Sequence, residues 1–356
     1  MSDAYLKLTA YFGERQRTGK RFVAEAMLDL FAERQVATSV MLRGIASFGL
    51  SRIVRSDQSL TLSEDPPVAV AAVDTEAVIS ALLDDAVAMT TQGLLTLERA
   101  RLVTDPVSTP LPDGDAVKLT VYVGRRHRVD GAAAFYAVCD LLHSHHFDGA
   151  SVLLGVDGTA HGERRRAHFF ARNVDVPMMI IAVGSTAQVR AVLPGLTEIL
   201  GEPLATVERV QVCKRDGQLL ARPPVLPAVD ADGRQVRQKL MIFTSEATRH
   251  DGAPVHRALV RRLLESGTAS GATVLRGIWG FHGDHKPHGD KLIQFGRQVP
   301  VISIVVDTPD RIARSFDIVD QVTGGHGLVT CEMVPALLVL DGGRREGSTD
   351  LADYRY

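Results

Sequence analysis

The chain has 356 residues, 45% hydrophobic and 23% charged, with a formal net charge of −2. This is the composition of a globular protein long enough for two or three domains, and it excludes the basic footprint of a nucleic-acid-binding protein. Three distant cysteines, Cys139, Cys213 and Cys331, form neither a disulfide framework nor a zinc knuckle, and reduced thiols fit a cytoplasmic location. No secretory signal follows Met1, and no run of about 18 apolar residues occurs, so neither export nor membrane insertion is expected.

Residues 6–12 read as a strand ending at Gly13, and a polar turn through Gly19 leads to a helix over about residues 20–34. That helix places Phe22, Val23, Ala26, Met27, Leu30 and Phe31 on one face, the spacing of a packing helix. A second strand, residues 39–49, carries Arg43 and Gly44 and runs into a loop of about 15 residues, longer than an ordinary connection. The third strand starts beside Pro67 and is almost wholly apolar through Val73, which predicts cover on both faces. A second helix bearing Val78, Leu82, Ala86 and Met89 and a fourth strand, Thr96-Leu97-Glu98-Arg99, complete the unit.

The same order recurs twice. Leu6-Lys7-Leu8-Thr9 matches Val117-Lys118-Leu119-Thr120, and Lys239-Leu240-Met241 opens a third copy. The second strands return as residues 149–158 and 271–281, the third strands beside Pro177 and Pro300, and the fourth strands as Thr206-Val207-Glu208-Arg209 and Thr330-Cys331-Glu332-Met333. The reading is three repeats, 1–104, 117–214 and 235–341, joined by linkers 105–116 and 215–234 and followed by a polar tail 342–356. Each unit is βαββαβ, the ferredoxin-like α+β arrangement, with helices on one sheet face. The other face of the apolar third strand must also be covered. We therefore expect the three units to pack as a single-chain pseudo-trimer rather than hang as separate beads.

Ser47-Phe48-Gly49, Leu62 to Pro67, Val73-Asp74-Thr75-Glu76 and Leu95-Thr96-Leu97-Glu98, with residues 271–283, Val306-Asp307-Thr308 and Gly327 to Thr330 in the third copy, resemble the domain-of-unknown-function 190 family, a branch of the PII-like superfamily. The resemblance spans nearly all the chain outside the linkers and tail, and copy two has drifted furthest. It implies a trimer-like signalling body that binds a small effector, often a nucleotide, between adjacent units. The long loop after strand two (T-loop) and the turn before strand four (B-loop) would line that cleft and carry the signal to a partner.

Arg43-Gly44 and Arg276-Gly277 stand where strand two meets the loop, and copy two has Leu154 there. A guanidinium at this point either grips a phosphate or carboxylate or pairs with a neighbouring strand carboxylate. The turn Gly324-Gly325-His326-Gly327 either forms an anion-binding nest or caps the preceding helix. Glu98, Glu208 and Glu332 occupy equivalent sites and would contact a ribose, pair with an arginine across an interface, or face solvent. His282, His285 and His288 fall in one loop and have the chemistry of metal ligands, although a mobile polar loop is the default reading.

No Ser/His/Asp, Cys/His, Walker or dinucleotide-binding pattern is legible, so a non-enzyme is expected. The leading expectation is a cytoplasmic PII-like effector-binding regulator, a monomeric pseudo-trimer. It would take an anionic ligand such as an adenine nucleotide at Arg43, Gly44, Arg276, Gly277, Glu98, Glu332, Gly324, Gly325, His326 and Gly327. Its partner would be an ion transporter or another regulated protein. The alternative is a metal-binding or metal-tolerance protein, by analogy with CutA-like trimers.

Overall fold

The structure is a computed structural model describing residues 5–56, 65–103, 111, 116–160, 163–166, 176–283, 287–289 and 299–353. Its first strands are Tyr5–Gly13, Val117–Gly124 and Arg237–Ser245. Each leads through a tight hairpin of two-residue strands, turning at Gly19, Gly131 or Gly252 with φ of 59°, 80° and 78°, into helix α1 (Val23–Glu33), α3 (Ala134–Ser144) or α5 (Val255–Ser266). The hairpin is why the helix expected from about residue 20 starts at Val23.

The second helices, α2 (Glu76–Met89), α4 (Thr186–Leu200) and α6 (Pro309–Thr323), come directly after the third strands. Each is started by a hydroxyl that accepts an N–H three residues on: Thr75 from Val78, Ser185 from Gln188 and Thr308 from Arg311. Ser185 and Gln188 add the reciprocal bond of a capping box.

Within every repeat the third strand pairs with the second and the first, and the first also pairs with the fourth, all antiparallel. The two helices cover one face. In repeat 1, Val68, Val70 and Ala72 point into the helix-covered core with Phe31, Leu82 and Leu8. Repeats 2 and 3 have equivalent cores around Ile180 and Val305. The alternate residues Ala69, Ala71 and Val73 join Met179, Ile181, Ile302, Ile304 and Val306 in a cluster shared by all three repeats. The apolar third strands are thus covered on both faces, as their sequence requires.

Strand pairing between repeats closes a circle. Residues 44–48 of repeat 1 lie on Ala272–Arg276 of repeat 3; Trp279–His282 of repeat 3 lies on Gly149–Leu154 of repeat 2; Asp157–Ala160 of repeat 2 lies on residues 38–41 of repeat 1. A second circle uses the fourth strands and their C-terminal extensions. Residues 101–103 pair with 205–207, Gln211–Arg215 with residues 329–331, and Ala336–Asp341 with residues 92–97. The result is a large curled antiparallel sheet carrying six helices among the described residues. Segments expected as connector and tail contribute strands: Gln218–Leu219 folds back on residues 214–215, and Arg344–Ser348 on Ala336–Asp341.

At the centre, Lys7 stands opposite Glu98 in the first-to-fourth strand register of repeat 1, as Lys118 does with Glu208 and Lys239 with Glu332. Every lysine also reaches a second repeat: Lys7 binds Glu208, Lys118 binds Glu332 at 2.5 Å, and Lys239 binds Glu98. With the internal pairs Lys7–Glu98 at 3.1 Å, Lys239–Glu332 at 2.9 Å and Lys118–Glu208, six charges alternate around a closed ring. No member is more than 6% exposed. The expectation that Glu98 and Glu332 contact a ligand or face solvent does not hold. Their carboxylates are consumed by ammonium groups inside the protein.

Burial alone would raise the Glu98 and Glu208 pKa values, but the lysines outweigh it; Glu98 is held far below the usual carboxylate range and Glu208 is lowered from 4.5 to about 2. A lowered carboxylate stabilises the fold above its unfolded pKa and loses that contribution as pH falls through its folded pKa, here from about pH 4.5 towards 2. Removing one partner strands a buried charge. Lys118→Met should cost about 3–5 kcal/mol in denaturant unfolding at neutral pH. Glu208→Gln should be similarly destabilised, and should lose less stability than the unsubstituted protein between pH 5 and pH 2.5. An equal acid slope would mean that Glu208 does not titrate in this window.

Candidate functional site

The circular pairing leaves clefts at the joints between repeats. The joint of repeats 1 and 3 encloses about 250 Å³. Repeat 1 supplies residues 11–13 and Gln16 from its first strand and turn, residues 47–51 from the end of its second strand and the loop that follows, and Gln92-Gly93-Leu94 from the turn into its fourth strand. Repeat 3 supplies Gly271 to Thr273, Arg237 and the α6 N-terminus with Asp307, Thr308 and Arg311, while its last hairpin adds Asp341 and Glu346.

The joint of repeats 3 and 2 encloses about 220 Å³ in the corresponding place. Here Gly325, His326 and Gly327 face Asp148 to Ser151 of repeat 2. The turn Asp216-Gly217 overhangs this cleft so closely that a Cβ on Gly217 would lie 2.2 Å from the Gly325 carbonyl carbon. Arg215 secures the turn by donating to Asp148 at 2.7 Å. Burial raises the Asp148 pKa against the opposing pull of Arg215. Thr244, also on this wall, has a buried hydroxyl with no hydrogen-bond partner.

Some of the residues expected to bind a ligand line these clefts and others do not. The turn Gly325-His326-Gly327 does line a cleft. Gly327 has φ +84° and would put a Cβ 2.8 Å from the Phe243 carbonyl oxygen, so backbone geometry demands glycine there. Gly324 closes α6 and does not line either cleft.

Arg43 and Arg276 are spent on carboxylates just past the first strands, across the intervening third strand. Arg43 Nε donates to Glu14 at 2.8 Å, and Arg276 Nη2 forks between the Glu246 oxygens at 2.6 and 2.5 Å. Of the two alternatives, the structure takes the ion pair. Copy two lacks both halves, with Leu154 and Arg125 at those places. Gly44 and Gly277 do admit a close approach, but of the next repeat's strand. A Cβ on either would stand 2.9 Å from a carbonyl oxygen, that of Val274 or Val152.

His282 is exposed beside the second cleft and His288 pairs by its backbone with Gly280, while His285 lies outside the described residues, so the three-histidine expectation falls there too. Among the described residues the one group with ligating atoms mutually within 4.8 Å is Glu98, Glu208 and Glu332. Three lysines already neutralise it. Arg237 and Arg311, which line the first cleft, were not singled out from sequence. Their signal was their absence from the other copies: the equivalent positions hold Tyr5 and Ala116, and Val78 and Gln188.

Comparison with known proteins places this architecture. Residues 5–102, 116–212 and 237–336 each match the domain-of-unknown-function 190 family, described as "Uncharacterized ACR, COG1993". The chain belongs to that family, in three tandem copies. A UPF0166 protein of Aquifex aeolicus (strain VF5) is 35% identical over 106 residues, 29% of this chain and 97% of the relative. An aspartate kinase structure from Synechocystis aligns over 96% of this chain and 45% of its own length at 12% identity, with a TM-score of 0.23, which carries no structural argument. No helix among the described residues is long and apolar enough to cross a membrane.

The two cleft glycines should separate in mutagenesis. Gly327→Ala meets both a disfavoured φ and the Phe243 carbonyl and should lower stability by more than about 1 kcal/mol. A Cβ on Gly325 meets nothing within 4 Å, so Gly325→Ala should melt as the unsubstituted protein does. Thermal unfolding of the two variants reads the difference.

Proposed function

We propose that the chain is a non-catalytic effector-binding regulator, a single-chain counterpart of a PII-like trimer built from three ferredoxin-like units. The observation that carries this reading is the cleft of about 250 Å³ between repeats 1 and 3, bounded by the T-loop stem and strand-four turn of one repeat and the helix start of the next. The closed order of inter-repeat pairing supports the pseudo-trimer. Phe48, Leu94, Ile304 and Val306, the exposed edge of the packed clusters, give this cleft an apolar wall among polar groups, the make-up of a small-molecule site.

The mechanism is population shift. An effector bridging two repeats binds most tightly to the conformation in which the T-loop stem of repeat 1 rests against repeat 3, and so biases the loop towards one form. Arg52, which donates to the Leu264 carbonyl of α5, already ties that stem to the neighbouring repeat. The loop then offers or withdraws a surface to a regulated partner, for which an ion transporter is the class that the resemblance suggests. The protein works without leaving the cytoplasm.

Titration calorimetry against AMP, ADP, ATP and cyclic AMP tests the nucleotide form of this reading. At least one should bind with fewer than three sites per chain, because the joints differ in lining. A Leu94→Trp substitution, which fills the apolar wall of the first cleft, should weaken that binding by about tenfold or more. Silence across the panel would remove nucleotides as the effector.

A further inference from the structure

We propose that the cleft between repeats 1 and 3 holds one oxyanion, the carboxylate or phosphate monoester of a small molecule with an apolar body, at Arg237 and Arg311. The other two joints lack this site. The inference rests on the reading of that cleft as a ligand site and specifies its chemistry and its number.

Arg237 is only 7% exposed and lines the cleft. Its guanidinium donates to the Gln235 side-chain oxygen and, at 3.4 Å, to the Val236 carbonyl. Among the described residues, no carboxylate of the protein comes within ion-pair distance of it. Burial lowers its pKa, and Asp307 and Glu346, the carboxylates near enough to act on it, offset that only in part. A desolvated guanidinium held by two neutral oxygens is the arrangement that an incoming oxyanion completes, since a buried charge without a counter-charge is costly.

Arg311 stands in the first turn of α6, where N–H groups and the helix dipole also favour negative charge. Asp307 lies beside these groups but is already engaged, accepting from Ser270 N at 2.7 Å and Thr308 N at 2.8 Å, with Arg311 Nε 3.9 Å away. Asp341 is likewise held, by Gln92 at 3.1 Å, and Glu346 is exposed to solvent. Among the described residues, the acids therefore leave Arg237 without an ion pair.

The number of sites comes from sequence equivalence. With Lys7, Lys118 and Lys239 aligned in the ring, Arg237 corresponds to Tyr5 and Ala116; with the caps Thr75, Ser185 and Thr308 aligned, Arg311 corresponds to Val78 and Gln188. Neither of the other joints has a cation at either place. A homotrimer would offer three identical sites. This chain offers one.

Calorimetry with AMP as phosphate monoester, benzoate as carboxylate and adenosine as uncharged control tests the proposal on the full chain. AMP or benzoate should bind at one site per chain, and the stronger of the two identifies the anion. Arg237→Gln and Arg311→Gln should each weaken that binding about tenfold or more, the loss expected for a hydrogen bond to a charged group, while Arg43→Gln should bind as the unsubstituted protein.

Ligand-free Arg237→Met should melt at or above the original temperature, because it removes an unpaired buried charge while keeping the stem's volume. Binding at two or three sites, binding unchanged by both substitutions, or a clear fall in the Arg237→Met melting temperature would overturn the proposal. Adenosine binding with both anions silent would overturn it too, while leaving the cleft as a ligand site.

Discussion

Six buried charges that alternate in sign around one axis set the terms for everything else in this protein. Each lysine has one carboxylate from its own repeat and one from the next. No pair is therefore complete until all three repeats are in place. In a low-dielectric interior the desolvation of a lone Lys–Glu pair can cancel its attraction, but here each ion has two opposite neighbours. The ring also enforces order: a shift of one residue in any first or fourth strand would carry a lysine or a glutamate to the helix-covered face. Its contribution is a specified arrangement of repeats more than raw stability.

That arrangement places the clefts, and the repeats then make them unequal. The strands that close each joint occupy equivalent places in their repeats. The side chains facing the joints are not equivalent. Repeat 3 brings Arg237 and Arg311 to one cleft, whereas at the next joint the Asp216-Gly217 turn lies over the glycines of the strand-four turn. Fusing three copies in one chain frees each joint to change alone, which identical subunits cannot do. The Arg43–Glu14 and Arg276–Glu246 pairs illustrate it in small: repeat 2 has neither partner, with Leu154 and Arg125 at those places.

Much of the fold was legible because repetition tripled each signal. Pro67, Pro177 and Pro300 mark the third strands, whose unbroken apolar runs announced a second covered face, and that face is the shared central cluster. The ring was half legible. Glu98, Glu208 and Glu332 were recognised as equivalent, but Lys7, Lys118 and Lys239 lie in strands of alternating pattern, where a polar residue is ordinarily read as facing water. Only packing against two other repeats turns that face inward. The cleft was harder still, since Arg237 opens a strand just after a linker and Arg311 sits at a helix start, distant in sequence from the repeat 1 groups they face. A search for what repeats share finds scaffold; a site made by one repeat's departures is found by looking for what they do not share.

The three repeats are one body closed at the ring and not three domains in a row. Native-state hydrogen exchange on Lys118→Met tests it most directly. Losing the lysine of repeat 2 should reduce the protection of fourth-strand amides at residues 94–100, 204–209 and 328–334 together. Loss confined to residues 204–209, with the other two strands as protected as before, would contradict it.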